Sequence, residues 1–327
     1  MDDYRGQKVL VTGGLGFIGS NLAIRLVASG ARVTIVDCLD PESGANPFNI
    51  EPIKHDVEVL RGDCCDLDLM RRLVRGCSHV FNLAGHVSHV ESMQDPFSDL
   101  RMNTIAPLTV LEACKAENRE ARVVYSSTRQ VYGRTDVLPL VETLLLKPVD
   151  VNGVNKMAGE WYHAVYNRAY NMPTVALRLV NTYGPRQLVK HSRQGFIGWF
   201  IRLAMDGKEI ELFGDGQQLR GFNYIDDVVD ALLLAGASKI VAGDYFNLGG
   251  MKPFSLETFV QLLLRIAGQG SYRIVPFPPE KKAIDVGSVF SSWMKFHFAT
   301  GWQPRVSLEE GLVKTVEYYR RHKAHYW

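Results

Sequence analysis

The most constraining feature of this chain is a glycine-rich string placed directly after its first apolar run. Residues 8–12 (KVLVT) lead into Thr12-Gly13-Gly14-Leu15-Gly16-Phe17-Ile18-Gly19, and a helical pattern opens at Phe17. Strand, tight turn and helix in that order build a phosphate site. Gly13 permits the turn, Gly16 lets a pyrophosphate approach the backbone, and Gly19 allows helix and sheet to pack closely. The helix start, with Phe17 and Ile18, then faces the phosphates with N–H groups that lack intrahelical partners. The second apolar run, 32–37 (RVTIVD), ends in Asp37, 18 residues beyond Gly19. An acid there accepts hydrogen bonds from an adenosine ribose and repels a 2′-phosphate, which predicts NAD rather than NADP.

The rest of the first half repeats the alternation. Runs at 57–60, 79–83, 122–126 and 174–179 are short and rich in Val and Ile, as suits strands buried on both faces of a parallel sheet. Helical spacing fills 17–29, 67–75, 108–116 and 156–170. The pattern predicts an α/β fold with a doubly wound parallel sheet. The run 245–248 (YFNL) is a further strand, returning to the sheet after a helix around 227–237. Beyond Asn181 the alternation breaks: 195–205 (GFIGWFIRLAM) reads as an apolar helix, and later helices begin at Ser255 and Ser307, the second with Glu310 in capping-box spacing. The basic aromatic tail 318–323 reads as a helix C-terminus that favours cations. The expected plan is a dinucleotide-binding domain over 1–181, to which 222–249 returns, and a smaller α/β substrate domain over 182–327.

With 37 Lys plus Arg against 35 Asp plus Glu, charge gives no case for a nucleic-acid partner. No apolar run approaches the roughly 18 residues that would span a bilayer. Five cysteines, two of them adjacent at 64 and 65, are poor material for a disulfide framework and point to a reducing, cytoplasmic setting. Gly62-Asp63-Cys64 follows the third strand and Asn82-Leu83-Ala84-Gly85 ends the fourth, so both lie at the carboxyl ends of strands, where ligands of such sheets bind. Asp63 caps either the adenine amino group or the next helix.

These elements, with YSSTRQVYG at 125–133, NGVNK at 152–156, LRLVNTYGPRQ at 177–187 and RGFNYIDDVVDA at 220–231, resemble the extended short-chain dehydrogenase/reductases that act on nucleotide sugars. They occur in family order over nearly the whole chain. UDP-galactose 4-epimerase and dTDP-glucose 4,6-dehydratase are well-known members, and YGPRQ…GFIGWF also resembles the branch containing CDP-tyvelose 2-epimerase. The resemblance implies a Rossmann domain and a tightly bound NAD that oxidises a sugar carbon transiently. It gives Thr128 the role of hydrogen-bonding the reacting sugar oxygen and Lys156 that of holding the nicotinamide ribose.

Around the expected catalytic residues the sequence departs from the family in two places. Asn152 stands where the catalytic tyrosine is expected, and a carboxamide has no proton to exchange at neutral pH. Another group acts as base, or the site is a binding relic, or the residue is an engineered substitution; the residues leave all three open. His86 and His89 follow the fourth strand, where sugar and nicotinamide would meet, and His86 is the first candidate for the missing proton chemistry. Arg129 and Gln130 stand where the 4,6-dehydratases carry an Asp–Glu pair, and neither suits proton exchange with a leaving hydroxyl and a neighbouring C–H.

On the substrate side, the resemblance assigns the diphosphate to Asn181 and Arg220, the nucleobase to Phe213 and the ribose to Asp285. Lys282 stands where relatives often carry Arg, and Gly221 where an Asp usually follows the Arg. Arg186 and Ser88 are further candidates for binding the substrate. Nothing in the pattern calls for a metal. The expected activity is NAD-dependent nucleotide-sugar epimerisation on a UDP-, dTDP-, GDP- or CDP-sugar, in a homodimer paired through helices around 107–116 and 158–170. The rivals are a dehydratase or oxidoreductase with reassigned acid–base residues, and a catalytically idle sugar-nucleotide binder.

Overall fold

The computed structural model describes residues 2–327. Its centre is a sheet in which β1 (Lys8–Thr12), β2 (Arg32–Asp37), β3 (Val57–Arg61), β4 (His79–Asn82), β5 (Arg122–Thr128) and β6 (Thr174–Leu179) are joined by a seventh strand, Tyr245–Asn247. Every pairing is parallel. The order across the sheet is 245–247, β6, β5, β4, β1, β2, β3, so the chain winds outward in both directions from the β1–β4 pair. Alternate residues of β1 enter different cores: Val9 and Val11 pack with Leu22, Leu26 and Ile35, while Leu10 packs with Met70, Val80, Val110 and Val123. Apolar side chains on both faces are what a sheet covered by helices on both sides requires.

A crevice opens where the winding reverses, and ligands of such sheets bind there. The Thr12 hydroxyl closes its floor, accepting from the amides of Leu83 and Ala84 at 3.0 Å each and donating to Asn82 Oδ1 at 3.4 Å. One strand differs from expectation. β3 is not buried on both faces: Glu58, Val59 and Arg61 are exposed, because β3 is the sheet's edge and has β2 alone as a neighbour.

The helix carrying Lys156 starts five residues before the spacing predicts, at Val151–Tyr170, because Asp150 Oδ1 accepts from the amide of Gly153 at 2.7 Å and caps it. That start places Asn152 and Lys156 one turn apart on one helix face. Between the helices Pro96–Leu100 and Ala106–Glu117 lies a turn of π-helix, Arg101–Ile105, which turns Asn103 toward the crevice. Beyond β6 the strands are short pairs: Asn181–Tyr183 with Phe222–Tyr224, Glu209–Phe213 with Ser271–Val275, and Leu219–Arg220 with Phe254–Ser255.

Ser255 and Ser307 cap their helices as the sequence predicts, but the capping box at Ser307 is half-formed. Glu310 N–H donates to Ser307 Oγ, while the Glu310 carboxylate turns outward to Lys314 at 2.7 Å. The basic tail does end a helix, and Arg320 donates to the carbonyls of Ile266 and Ala267. No helix among the described residues is long and apolar enough to cross a membrane.

Candidate active site

The glycine elbow is as tight as its spacing suggests. Gly13 has φ +68, and a Cβ there would stand 3.0 Å from the Ala84 Cα. A Cβ on Gly19 would stand 2.3 Å from the Gly13 carbonyl oxygen, so any side chain would push the helix off the turn. Gly16 is the N-cap of the helix Phe17–Ala28 and supplies no side-chain acceptor, which leaves the first amides open to a ligand. Gly13, Gly16, Phe17, Ile18 and Gly19 line one side of a cleft of about 270 Å³.

A second cavity of about 80 Å³ shares Gly13, Gly16, Ser43 and Leu83 with the first and adds Asp37, Asp63, Cys64, Ala84 and Gly85. The coenzyme residues read from the sequence therefore meet in two adjoining cavities. Asp37 is buried, and burial pushes its carboxyl up, although the amides of Leu39 and Leu15 oppose this by donating to its two oxygens at 2.9 and 3.0 Å. Each oxygen keeps a further lone pair for a ribose hydroxyl. Asp63 does not cap the following helix: Asp66 does, through the amide of Leu69, while Asp63 is held by the amide of Cys65 and the Arg101 guanidinium.

The opposite wall of the cleft carries Thr128, Arg129 and Gln130 from the end of β5, and Asn152 and Lys156 from their helix. Thr128 Oγ1 accepts from the amide of Gln130 at 3.2 Å, which leaves its proton free for another partner. Lys156 Nζ donates to the Ser126 carbonyl at 3.2 Å and lies 5.2 Å from the centre of the Tyr125 ring. It reaches the cleft by passing beneath Gly85, where a Cβ would stand 2.9 Å from Nζ and 2.6 Å from Asn103 Oδ1. Burial pulls the Lys156 ammonium down to about 8, against the attraction of Asp99. Its charge is therefore present below that pH and lost above it. The profile of kcat/KM should fall as pH rises through about 8, and Lys156→Arg should carry that limb to higher pH.

Both side-chain protons of Asn152 are engaged. Its Nδ2 donates to the His86 carbonyl at 2.9 Å and to Asp99 Oδ2 at 3.0 Å, while Asn155 Nδ2 donates to Asp99 Oδ1 at 2.8 Å. Its backbone amide donates to Ser92 Oγ at 3.2 Å. A residue so partnered fits its site. Asn152→Tyr should leave Asp99 Oδ2 without that donor and lower stability by about 1–3 kcal/mol, with no large rise in turnover. Denaturation midpoints and kcat measured side by side check this, and a gain of orders of magnitude would show that the site is built for tyrosine.

The two histidines exchange the weight the sequence suggests. The His86 ring lines the cleft, but its bonds are made through its backbone carbonyl, which accepts from Asn103 and Asn152. His89 opens the helix His89–Gln94 and has polar side chains close to both nitrogens: Nδ1 lies 3.1 Å from Asp150 Oδ2, an ion-pair contact without hydrogen-bond alignment, and Nε2 lies 3.0 Å from Gln130 Nε2. Gln130 Oε1 accepts from Arg129 at 2.7 Å, which orients the amide so that its NH₂ faces His89. That assigns the imidazole proton to Nδ1, toward Asp150. Burial raises the Asp150 carboxyl, but His89, the Gly153 amide and Arg129 outweigh it and hold the group below the usual carboxylate range. Among the described lining residues the titratable side chains are His86, His89, Arg129 and Lys156, with no carboxylate and no tyrosine.

Residues 9–249 match the family described as NAD dependent epimerase/dehydratase. The chain belongs to this family. It is 33% identical over 319 residues to a UDP-glucose 4-epimerase of Mycolicibacterium smegmatis, covering 96% of this chain and 99% of that protein. Its fold matches that of an epimerase of Methanothermobacter thermautotrophicus at a TM-score of 0.92, with 28% identity over 99% of this chain and 95% of the other. It also matches the dTDP-glucose 4,6-dehydratase of Streptomyces venezuelae, solved with NAD bound, at 0.88, with 27% identity over 97% of this chain and 98% of the other. NAD is the cofactor of the family, and the elbow glycines with Asp37 fit that group.

Fewer of the substrate-side residues expected from the family pattern reach the cleft. Asn181 does, with Oδ1 facing Arg129 at 3.3 Å and Nδ2 donating to the Gly221 carbonyl at 3.0 Å. Arg220 and Asp285 come together at 3.6 Å, and Arg220 also donates to the carbonyls of Leu219 and Gly287. The Arg220 charge also helps lower the pKa of Arg129. Phe213 ends its strand against Phe277, at 5.6 Å between ring centres, and Lys282 is exposed on the short helix Pro279–Ala283; neither lines the cleft.

Two residues do other work. Ser88 Oγ caps the helix at His89 by accepting from the amide of Glu91. Arg186, at φ +73, donates to the Asn49 carbonyl and Asn21 Oδ1 and lies against Tyr318, tying its loop to the glycine-elbow side of the fold. The sequence reading missed Asp150, Asn103 and Asp99. An Asp just before a helical run is a legible N-cap signal for Asp150, but only folding brings His89 to it.

Proposed function

We propose that this protein is a nucleotide-sugar epimerase that works with tightly bound NAD. The observation that carries the reading is the composition of one cleft. The glycine elbow, Thr128 and Lys156 share it, and the positions after Thr128 hold Arg129 and Gln130 instead of an acid pair fit to eliminate water. The similarity to a UDP-glucose 4-epimerase over nearly both full lengths supports the same reading. When bound, NAD supplies a reversible hydride acceptor. The Thr128 hydroxyl hydrogen-bonds the sugar oxygen, the Lys156 ammonium sits beside the ribose and the reacting oxygen, and His89 takes and returns the hydroxyl proton at Nε2 once the sugar hydroxyl has displaced the Gln130 amide from that nitrogen.

Residues 1–181 with 222–249 would hold the coenzyme and 182–327 the nucleotide sugar. The exposed Val154, Trp161 and Val165 on one helix face support pairing with a second copy, and five free thiols support a reducing cytoplasm. Absorbance at 340 nm on adding UDP-, dTDP-, GDP- or CDP-sugars tests the assignment, because reduction of bound NAD is required. Product NMR in D₂O then separates the classes: a 4,6-dehydratase washes solvent deuterium into the carbon beside the transient ketone, and direct 4-epimerisation does not. No signal with any sugar would leave a binding protein in place of an enzyme.

A further inference from the structure

We propose that Arg129 binds an anionic group of the substrate and that its guanidinium is held in the cleft for that purpose. The proposal rests on the reading of the cleft as a nucleotide-sugar site. Arg129 follows Thr128 directly and lines the cleft, partly buried. Both of its hydrogen-bond partners are neutral amide oxygens: Gln130 Oε1 at 2.7 Å and Asn181 Oδ1 at 3.3 Å. Among the described residues no carboxylate lies within 4.0 Å of it, and the two carboxylates that attract it from further away are taken. Asp150 faces His89 and the amide of Gly153, and Asp285 faces Arg220 and the amide of Gly287.

The two buried arginines are treated differently. Arg178 is paired with Glu160, and Arg220 has Asp285 at 3.6 Å. A guanidinium partly withdrawn from water with no counter-ion is costly, and the positive charge of Arg220 nearby adds to that cost. Burial and Arg220 together pull Arg129 down to about 9. An oxyanion entering the cleft would remove the deficit, and the planar fork suits one presenting two oxygens. Two parts of a nucleotide sugar have that chemistry: the diphosphate, present in every such substrate, and a carboxylate on the hexose of a uronic acid. The contact to Asn181 places Arg129 between the Thr128 hydroxyl and the Asn181 side, within reach of either.

Calorimetric titration of the NAD-loaded protein tests this. The probes are the nucleoside diphosphate that the wild type binds most tightly among UDP, dTDP, GDP and CDP, its neutral hexose derivative and its uronate derivative. Arg129→Gln should weaken binding about tenfold or more where the anion is held. A similar loss for all three ligands assigns Arg129 to the diphosphate. A loss for the uronate derivative alone assigns it to the sugar carboxylate. Arg129→Lys, which keeps the charge and loses the fork, should fall between wild type and Gln, and it serves if the Gln variant melts early. Unchanged affinity for all three ligands in both variants overturns the proposal. A wild type that binds none of the nucleoside diphosphates overturns the nucleotide-sugar reading itself.

Discussion

Replacing His89 with asparagine should lower kcat by two to four orders of magnitude, roughly the contribution of one positioned proton-transfer group, while bound NAD and the melting temperature stay near wild type. Asparagine keeps a donor on the side that faces Asp150 and removes the second ring nitrogen, so the local polar contact survives and the proton chemistry does not. The groups that face this imidazole are Asp150 from the cap of Val151–Tyr170 and Gln130 with Arg129 from the end of β5. Glu91 lies on its own helix, and His86 and Lys156 line the same cleft.

Two companion variants sharpen the test. His86→Asn should change kcat only a few-fold, because that residue's bonds are made by its backbone. Asp150→Asn keeps a competent helix cap and removes the charge behind the imidazole, so it should reduce kcat and reshape its pH profile at nearly unchanged stability. If His86→Asn is the damaging variant and His89→Asn is not, the proton transfer belongs to His86.

Glu160→Gln should destabilise the protein by about 3–5 kcal/mol, the range for breaking a buried ion pair from one side. Arg178 and Glu160 are 1% and 2% exposed, and the Arg178 guanidinium meets Glu160 through two of its nitrogens and the Tyr132 hydroxyl through the third. Ser127 Oγ adds a bond to Glu160 Oε2 at 2.8 Å, and the guanidinium lies 4.9 and 4.2 Å from the ring centres of Tyr132 and Tyr245. Gln can satisfy some of these donors but leaves the Arg178 cation buried without its counter-charge.

Glu160 sits one turn beyond Lys156, so the pair fixes the helix that carries Lys156 against β5 and β6. Equilibrium denaturation measures the loss. Glu160→Met combined with Arg178→Leu should recover much of it, since removing both charges also removes their desolvation. A single variant as stable as wild type would show that the pair carries no net stabilisation.

The glycine elbow, Asp37 and the strand–helix alternation were legible along the chain because their physics is local. Backbone torsion, side-chain volume and a period of two or 3.6 residues act on neighbours in sequence. Thr128, Lys156 and the missing tyrosine came from the family resemblance, and the fold brings Thr128, Asn152 and Lys156 to one cleft. The edge placement of β3 was not, because whether a strand lies at an edge depends on what pairs beside it.

Nor did the sequence show that His89 and not His86 gains side-chain partners, since Asp150 and Gln130 lie 61 and 41 residues further on. Arg186 looked like a ligand for phosphate and is a brace, because Asn21 and Asn49 fold against its loop. Arg129 looked only like a lost acid, and its position in the cleft without a counter-ion exists only in three dimensions. Electrostatics and burial are summed over whatever the fold brings close, and the order of residues along a chain does not contain that sum.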